Sequence, residues 1–196
     1  MMLKNMRAVD FNLWMTLIAM TKGRLVDEEV KQFLTIPPKN VLPEYPRDLT
    51  KFVKPSIIIQ KVADDIVNNG FIGQAYDSEN DAYYDVNAKT HDMQYQFDVF
   101  ADTNTQCSLM TSLVCDDIFT STNIEILDFV SDMDNPQPMG YAKLHNEFDV
   151  IPMNPTENYD YHTAVRSYLT VVQTVVPKQE FVDLSKWIKI SQRVII

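Results

Sequence analysis

The stretch Asp92-Met93-Gln94-Tyr95-Gln96-Phe97-Asp98-Val99-Phe100 alternates strictly: Met93, Tyr95, Phe97 and Val99 are apolar, and Asp92, Gln94, Gln96 and Asp98 are polar. A period of two places successive side chains on opposite faces of a strand, so one face meets a core and the other meets water or a partner. Directly behind it, Thr103-Asn104-Thr105-Gln106 has the spacing of a capping box, with Thr103 placed to accept from the Gln106 amide and Gln106 to reach back. The helix this opens carries Leu109, Met110, Leu113, Val114 and Ile118 as its apolar face and is predicted to end near Thr120-Ser121. A half-buried strand feeding an amphipathic helix through a tight connection demands a sheet with helices packed on it.

The remaining segments are arranged around that unit. Phe11, Trp14, Met15, Ile18 and Ala19 recur at three- and four-residue spacing and predict a helix over the first 24 residues, stopped by Gly23. Residues 27–34 predict a second short helix with acids at its positive end. Residues 36–55 hold five prolines and no periodicity, which predicts an extended, wrapped linker. Pro55 then leads a β-branched strand over residues 56–62, its ring suited to a strand's first residue or to a sheet edge. Phe71, Ile72 and Tyr76 on one side of Asp77-Ser78-Glu79-Asn80-Asp81, with Tyr83, Tyr84 and Val86 on the other, predict two strands joined by an acidic loop. No long hydrophobic hairpin is evident. Beyond the capped helix, residues 124–130 predict a strand, 131–138 a polar loop, 146–151 a short edge segment and 161–176 a strand; residues 181–196 fit a helical start and a strand finish. The fold class is α+β, a mostly antiparallel sheet with flanking amphipathic helices, divided into residues 1–54 (helix and Pro-rich arm) and residues 55–196 (sheet domain).

Chemistry has little to work with. Four glycines leave no P-loop, and neither a dinucleotide fingerprint nor a nucleophile elbow occurs. A net charge of −10 opposes nucleic-acid binding, which needs a surplus of Lys and Arg. Cys107 and Cys115, eight residues apart on one predicted helix, are about 12 Å apart at ~1.5 Å rise per residue, so they read as reduced thiols. His91, His145 and His162 fall in separate segments without metal-ligand spacing. The acid pairs Asp64-Asp65 and Asp116-Asp117 read as solvated faces, and Asp132-x-Asp134 lacks the glycine and distal glutamate of a calcium loop. No signal-peptide pattern opens the chain, and the apolar stretch over residues 11–20 is too short to span a bilayer. The expectation is a protein made soluble in the cytosol, with no enzymatic activity, no cofactor, no metal and no membrane partner.

The order of segments from Pro55 onward resembles the tail or neck terminator proteins of tailed bacteriophages. The resemblance rests on Pro55-Ser56-Ile57-Ile58, on the alternating strand from Met93 running into Thr103, on the short strand and polar loop from Ile124 to Asp134, and on Arg166-Ser167-Tyr168-Leu169-Thr170-Val171. It covers roughly 140 residues, is one of layout, and excludes the first 50. It implies an α/β subunit that assembles into a homohexameric ring in the virion, put together in the host cytoplasm. Such a ring sits at the head-proximal end of the tail tube, stops tube growth and joins the tail to the head. The implied partners are the chain itself, the tail-tube protein and the head-tail connector proteins, with DNA passing through the lumen without specific binding. On that reading the acidic loops offer Asp77, Glu79, Asp81, Asp132 and Asp134 to the lumen or to partners, since carboxylates do not hold phosphate. Candidate subunit contacts are Trp14 and Met15 on the first helix and Ile57 and Ile59 on an edge strand. The alternatives are another head-to-tail connector, a tail-tube subunit or a baseplate component. A different class, a small-ligand-binding α/β protein, would require polar residues to converge, for example His91 or His162 on Asp98.

Overall fold

The computed structural model describes residues 5–45, 53–77, 82–119, 123–153, 161–175 and 181–183. In chain order these form β1 (Asn5–Arg7), α1 (Ala8–Val26), α2 (Glu28–Lys31), a 3-10 turn (Pro38–Asn40), β2 (Val41–Leu42), β3 (Ser56–Asp77) and β4 (Ala82–Ala101). They continue with α3 (Asn104–Ser112) running into a π-helical turn (Leu113–Ile118), β5 (Asn123–Asp128), β6 (Gln137–Met153), β7 (Tyr161–Val175) and β8 (Phe181–Asp183). The main sheet has the order β2-β3-β4-β7-β6-β5; β2 runs parallel to β3, and every other pairing in the sheet is antiparallel. A separate ribbon pairs β1 with β8. The class is therefore α+β with a mostly antiparallel sheet, and among the described residues no helix is long and apolar enough to cross a membrane.

The alternating segment is the C-terminal half of β4. Its odd-numbered residues Met93, Tyr95, Phe97 and Val99 are fully buried in one core with Ile57, Ile59, Val165 and Leu169, beneath Leu13 and Leu17 of α1 and Met110 and Val114 of the α3 region. Thr103 caps α3, its hydroxyl accepting from Gln106 N at 3.2 Å, and Gln106 Oε1 reaches back one residue further than a standard capping box, to Asp102 N at 3.1 Å. The predicted apolar face holds at Met110, Leu113, Val114 and Ile118 and fails at Leu109. Cys107 takes the inward position and Leu109 is 38% exposed, while Leu113, Val114 and Ile118 stay buried on the π-helical turn. Cys115 is buried there too, and desolvation with the neighbouring Asp116 pushes its thiol up to about 11.

Several boundaries differ from the sequence-based ones, each for a physical reason. Gly23 does not stop α1, because Leu25 still has a buried place to fill; the break comes at Asp27, whose carboxylate caps α2 by accepting from Glu29 N. The two apolar stretches over residues 56–62 and 71–76 are one strand, β3. Val62, Val67 and Ile72 are extra residues in the β3–β4 register, and each reverses the parity of the residues beyond it, so a strict period of two is lost although pairing continues. A long hairpin results, 22 residues against 20. The segment read as a short edge piece at 146–151 belongs to the 17-residue β6, which begins inside the predicted loop at Gln137. Residues 36–55, read as irregular, contain the 3-10 turn and β2, and Tyr45 packs edge-on against Phe100 at 6.1 Å. Of the final segment, Phe181–Asp183 is a strand, and residues 184–196 lie outside the described residues.

Helix α1 is fixed to β5 and the turn after it by buried polar groups. Asn12, 1% exposed, accepts Phe129 N at 2.9 Å and Val130 N at 3.1 Å on Oδ1 and donates to Asp128 Oδ1 at 3.0 Å. Thr16 Oγ1 accepts Leu127 N at 3.0 Å. Burial raises the Asp128 carboxyl, but hydrogen bonds from the Ser131 side chain and backbone, from Asn12 and from Val130 outweigh it and hold the pKa below the usual range.

The helical stripe and the Asp128 site can each be tested by denaturation. Met110→Ala lowers the unfolding free energy by about 2–5 kcal/mol in urea, whereas Leu109→Ala changes it by well under about 1 kcal/mol; equal costs would refute the stripe described. Because the Asp128 pKa is depressed on folding, its contribution is present above the unfolded value, about 3.9, and is lost as the pH falls through the folded value. The stability gap between the wild type and Asp128→Asn is therefore widest near neutrality and narrows below about pH 4, as a pH series of urea melts would record.

Candidate functional site

The even-numbered residues of β4 face away from the helices. Residues directly opposite in antiparallel pairs share a face, so this face has three cross-strand rows: Gln60, Gln96 and Arg166; then Ile58, Asp98 and Ala164; then Ser56, Phe100 and His162. They close into a network around Asp98, which is fully buried. Asp98 Oδ2 accepts from Gln60 Nε2 at 2.8 Å and Gln96 Nε2 at 3.0 Å, while Oδ1 accepts from Gln96 Nε2 at 2.8 Å and His162 Nε2 at 2.9 Å. Arg166 Nε donates to Gln96 Oε1 at 2.7 Å, and the His162 ring stacks on Phe100 at 4.1 Å. Further along the same face Thr170 Oγ1 donates to Asp92 Oδ1 at 2.5 Å and lies 2.6 Å from Nε2 of the exposed His145.

The convergence of His162 on Asp98 is the geometry a ligand-binding α/β protein would require, but the network is saturated. Both carboxylate oxygens are taken by protein donors, which is how a buried charge is retained in a fold. A serine, a histidine and an aspartate occupy neighbouring rows, yet Ser56 Oγ is buried without a hydrogen-bond partner, and a nucleophile requires contact with its base. His91 is fully buried on the opposite, core face. Among the described residues no group of three or more His, Cys, Asp or Glu could hold a metal. The arrangement can brace β3, β4 and β7 against one another, with both oxygens of Asp98 already engaged.

The other candidate residues fall on edges and loops. Trp14 and Met15 are half-buried against the core, and the Trp14 indole donates to the Ile59 carbonyl at 2.8 Å, one residue past the end of the β2 pairing. Ile57 and Ile59 have no exposed surface at all; both lie in the core of their own chain. Asp77 ends β3, while Glu79 and Asp81 lie outside the described residues. Asp132 and Asp134 are exposed, with Asp132 Oδ1 accepting the Asp134 and Asn135 amides at 3.0 Å, so this carboxylate shapes its own turn. The structure thus gathers none of these into one site. Of the residues that do gather, His162 on Asp98 is one of the convergences named from the sequence; Gln60, Gln96 and Arg166 carry a signal there only as polar positions in strands, which says nothing of what lies across the register.

No family model and no curated protein matches the chain. Among solved structures it is similar to a chain of the "Virion of native gene transfer agent (GTA) particle", with 12% identity over 84% of this chain and 97% of that one and a TM-score of 0.42. A likeness that distant carries no argument about activity or partners.

If the Asp98 network is a brace, Asp98→Asn should lower the unfolding free energy by about 1–3 kcal/mol, because one acceptor becomes a donor facing other donors. An unchanged urea midpoint would show that the carboxylate is not needed for the fold and would reopen a binding role.

Proposed function

We propose that the chain is a structural protein of a tailed-phage type of virion, and within it a tail terminator: a subunit that closes into a ring, ends the tail tube and presents the surface that joins tail to head. The observation that carries this reading is the two-faced antiparallel sheet whose alternating strand runs into a capped helix, in the order on which the sequence resemblance rests. The saturated Asp98 network supports a non-enzymatic role, because the polar residues that converge are used up by one another. An acidic subunit fits a lumen that passes DNA, since like charge keeps the phosphate backbone from adhering. Asp132 and Asp134, exposed on their turn, and Asp77 at the end of the hairpin strand are the residues this reading would turn toward lumen or partner.

A second reading has its own observation. The β3–β4 hairpin, with 22 and 20 residues, is the kind of long extension that a stacking tail-tube subunit would use. Between the two, the terminator reading calls for a ring that stops, and the tube reading for a ring that stacks on further copies.

The test is the mass of the purified protein in solution together with negative-stain images across a concentration series. Closed single rings of about six subunits are expected. Filaments of stacked rings would replace the terminator with the tube subunit. A monomer at every concentration, including with preformed tail tubes present, would overturn both.

A further inference from the structure

The two long edges of the sheet are treated differently. On the β3 side, β2 covers Ile57 and Ile58, the Trp14 indole caps the Ile59 carbonyl, and the unpaired residues Val62, Val67 and Ile72 kink the strand at five-residue intervals. Covering, capping and bulging are the means by which a fold keeps an edge from pairing with another chain. On the other side β5 pairs with β6 only as far as Lys143; among the described residues β6 pairs with β7 alone at Leu144 and again from Phe148 to Met153, with the register broken between them. This open stretch exposes apolar side chains: Phe148 is 38% and Val150 43% exposed. Both sit on the core face, opposite Ser167 and Val165, with Phe148 stacked on Phe119 at 6.5 Å. The apolar core is thus continued to the rim of a strand paired on one side.

Charge indicates what fits there. Between residues 62 and 177 the sequence has nineteen acidic residues and three basic ones, Lys89, Lys143 and Arg166. The thirteen residues after β8, 184–196, reverse this: Lys186, Lys189 and Arg193 are basic and none is acidic. The strand finish of this segment has Ile188, Ile190, Val194 and Ile196 spaced by two or four and Lys189, Ser191 and Arg193 between them. A basic, β-branched strand complements an acidic edge with exposed apolar anchors, and strand addition supplies main-chain hydrogen bonds to both.

We propose that residues 184–196 of one copy of this chain add as a strand to the β6 edge of the next copy, over residues 148–153, with Phe148 and Val150 as apolar anchors. The contact joins two different patches and is therefore heterologous, the kind that closes into a ring; the choice of a neighbouring copy as the donor rests on the ring reading above.

The test replaces Phe148 by the photo-crosslinking analogue p-benzoylphenylalanine in the full chain. Isotope-labelled and unlabelled protein are mixed at low concentration, concentrated and irradiated, and the crosslinked peptides are identified by mass spectrometry. Crosslinks to peptides within 184–196, half of them between labelled and unlabelled chains, are expected. Substituting Lys186→Glu, Lys189→Glu and Arg193→Glu together should lower their yield at least ten-fold without changing the circular dichroism of the fold. Crosslinks confined to one isotope, crosslinks to another segment, or none would overturn the proposal. Particle mass read on the same samples separates the two ideas: rings without this crosslink overturn the strand addition alone, and mixed-isotope crosslinks without rings sustain it and overturn ring closure.

Discussion

Strand β4 is hydrogen-bonded along both edges and, from Met93 to Ala101, almost entirely buried on both faces except at Gln94. A strand in that position has to satisfy two incompatible environments at once. Its odd-numbered side chains fill an apolar core, and their contribution comes from surface removed from water. Its even-numbered side chains include a buried carboxylate, which persists only because Gln60, Gln96 and His162 supply donors to both oxygens. The strict alternation is the sequence's answer to that constraint, and the helix capped by Thr103 comes next because the chain must leave the sheet on the apolar side to cover it.

Helix α1 holds the two flanks of the sheet together. Toward β3 it offers Trp14 to the Ile59 carbonyl and Asp10 to Lys61, a pair at 3.0 Å that is largely buried. Toward β5 it offers Asn12 and Thr16 to the backbone of residues 127–130. One oxygen of Asp10 is left without a hydrogen-bond partner in the interior. That is the reason not to credit the ion pair with much stability: desolvating two charges offsets most of their attraction, and such pairs act more to fix a geometry. The first helix is in this way part of the same core as the sheet, with Leu13 and Leu17 among its fully buried members.

The convergent carboxylate of Asp98 is held by Gln60, Gln96 and His162. The sequence also separates acidic from basic segments, and β3 and β6 are each covered over only part of their outer edges. Among the described residues, 73–77 and 82–86 pair only with each other, beyond the end of the β4–β7 register.

The sequence by itself determined the central unit. Alternation over residues 92–100, the Thr103 cap and the α+β class are local properties, fixed by period and by hydrogen bonds between residues within a few positions of each other. It also determined that the two cysteines stay unbridged, because their separation on one helix forbids a bond. Tertiary structure alone decided the rest. Bulges erase the parity signal of β3, so its length is set by register with β4; the inward face of α3 is set by which residue the core admits, and Leu109 loses that place to Cys107. The Asp98 network joins residues 60, 96, 98, 162 and 166, brought together by strand order, and no pattern confined to one segment encodes cross-strand contacts whose partners are 38, 64 and 70 residues apart.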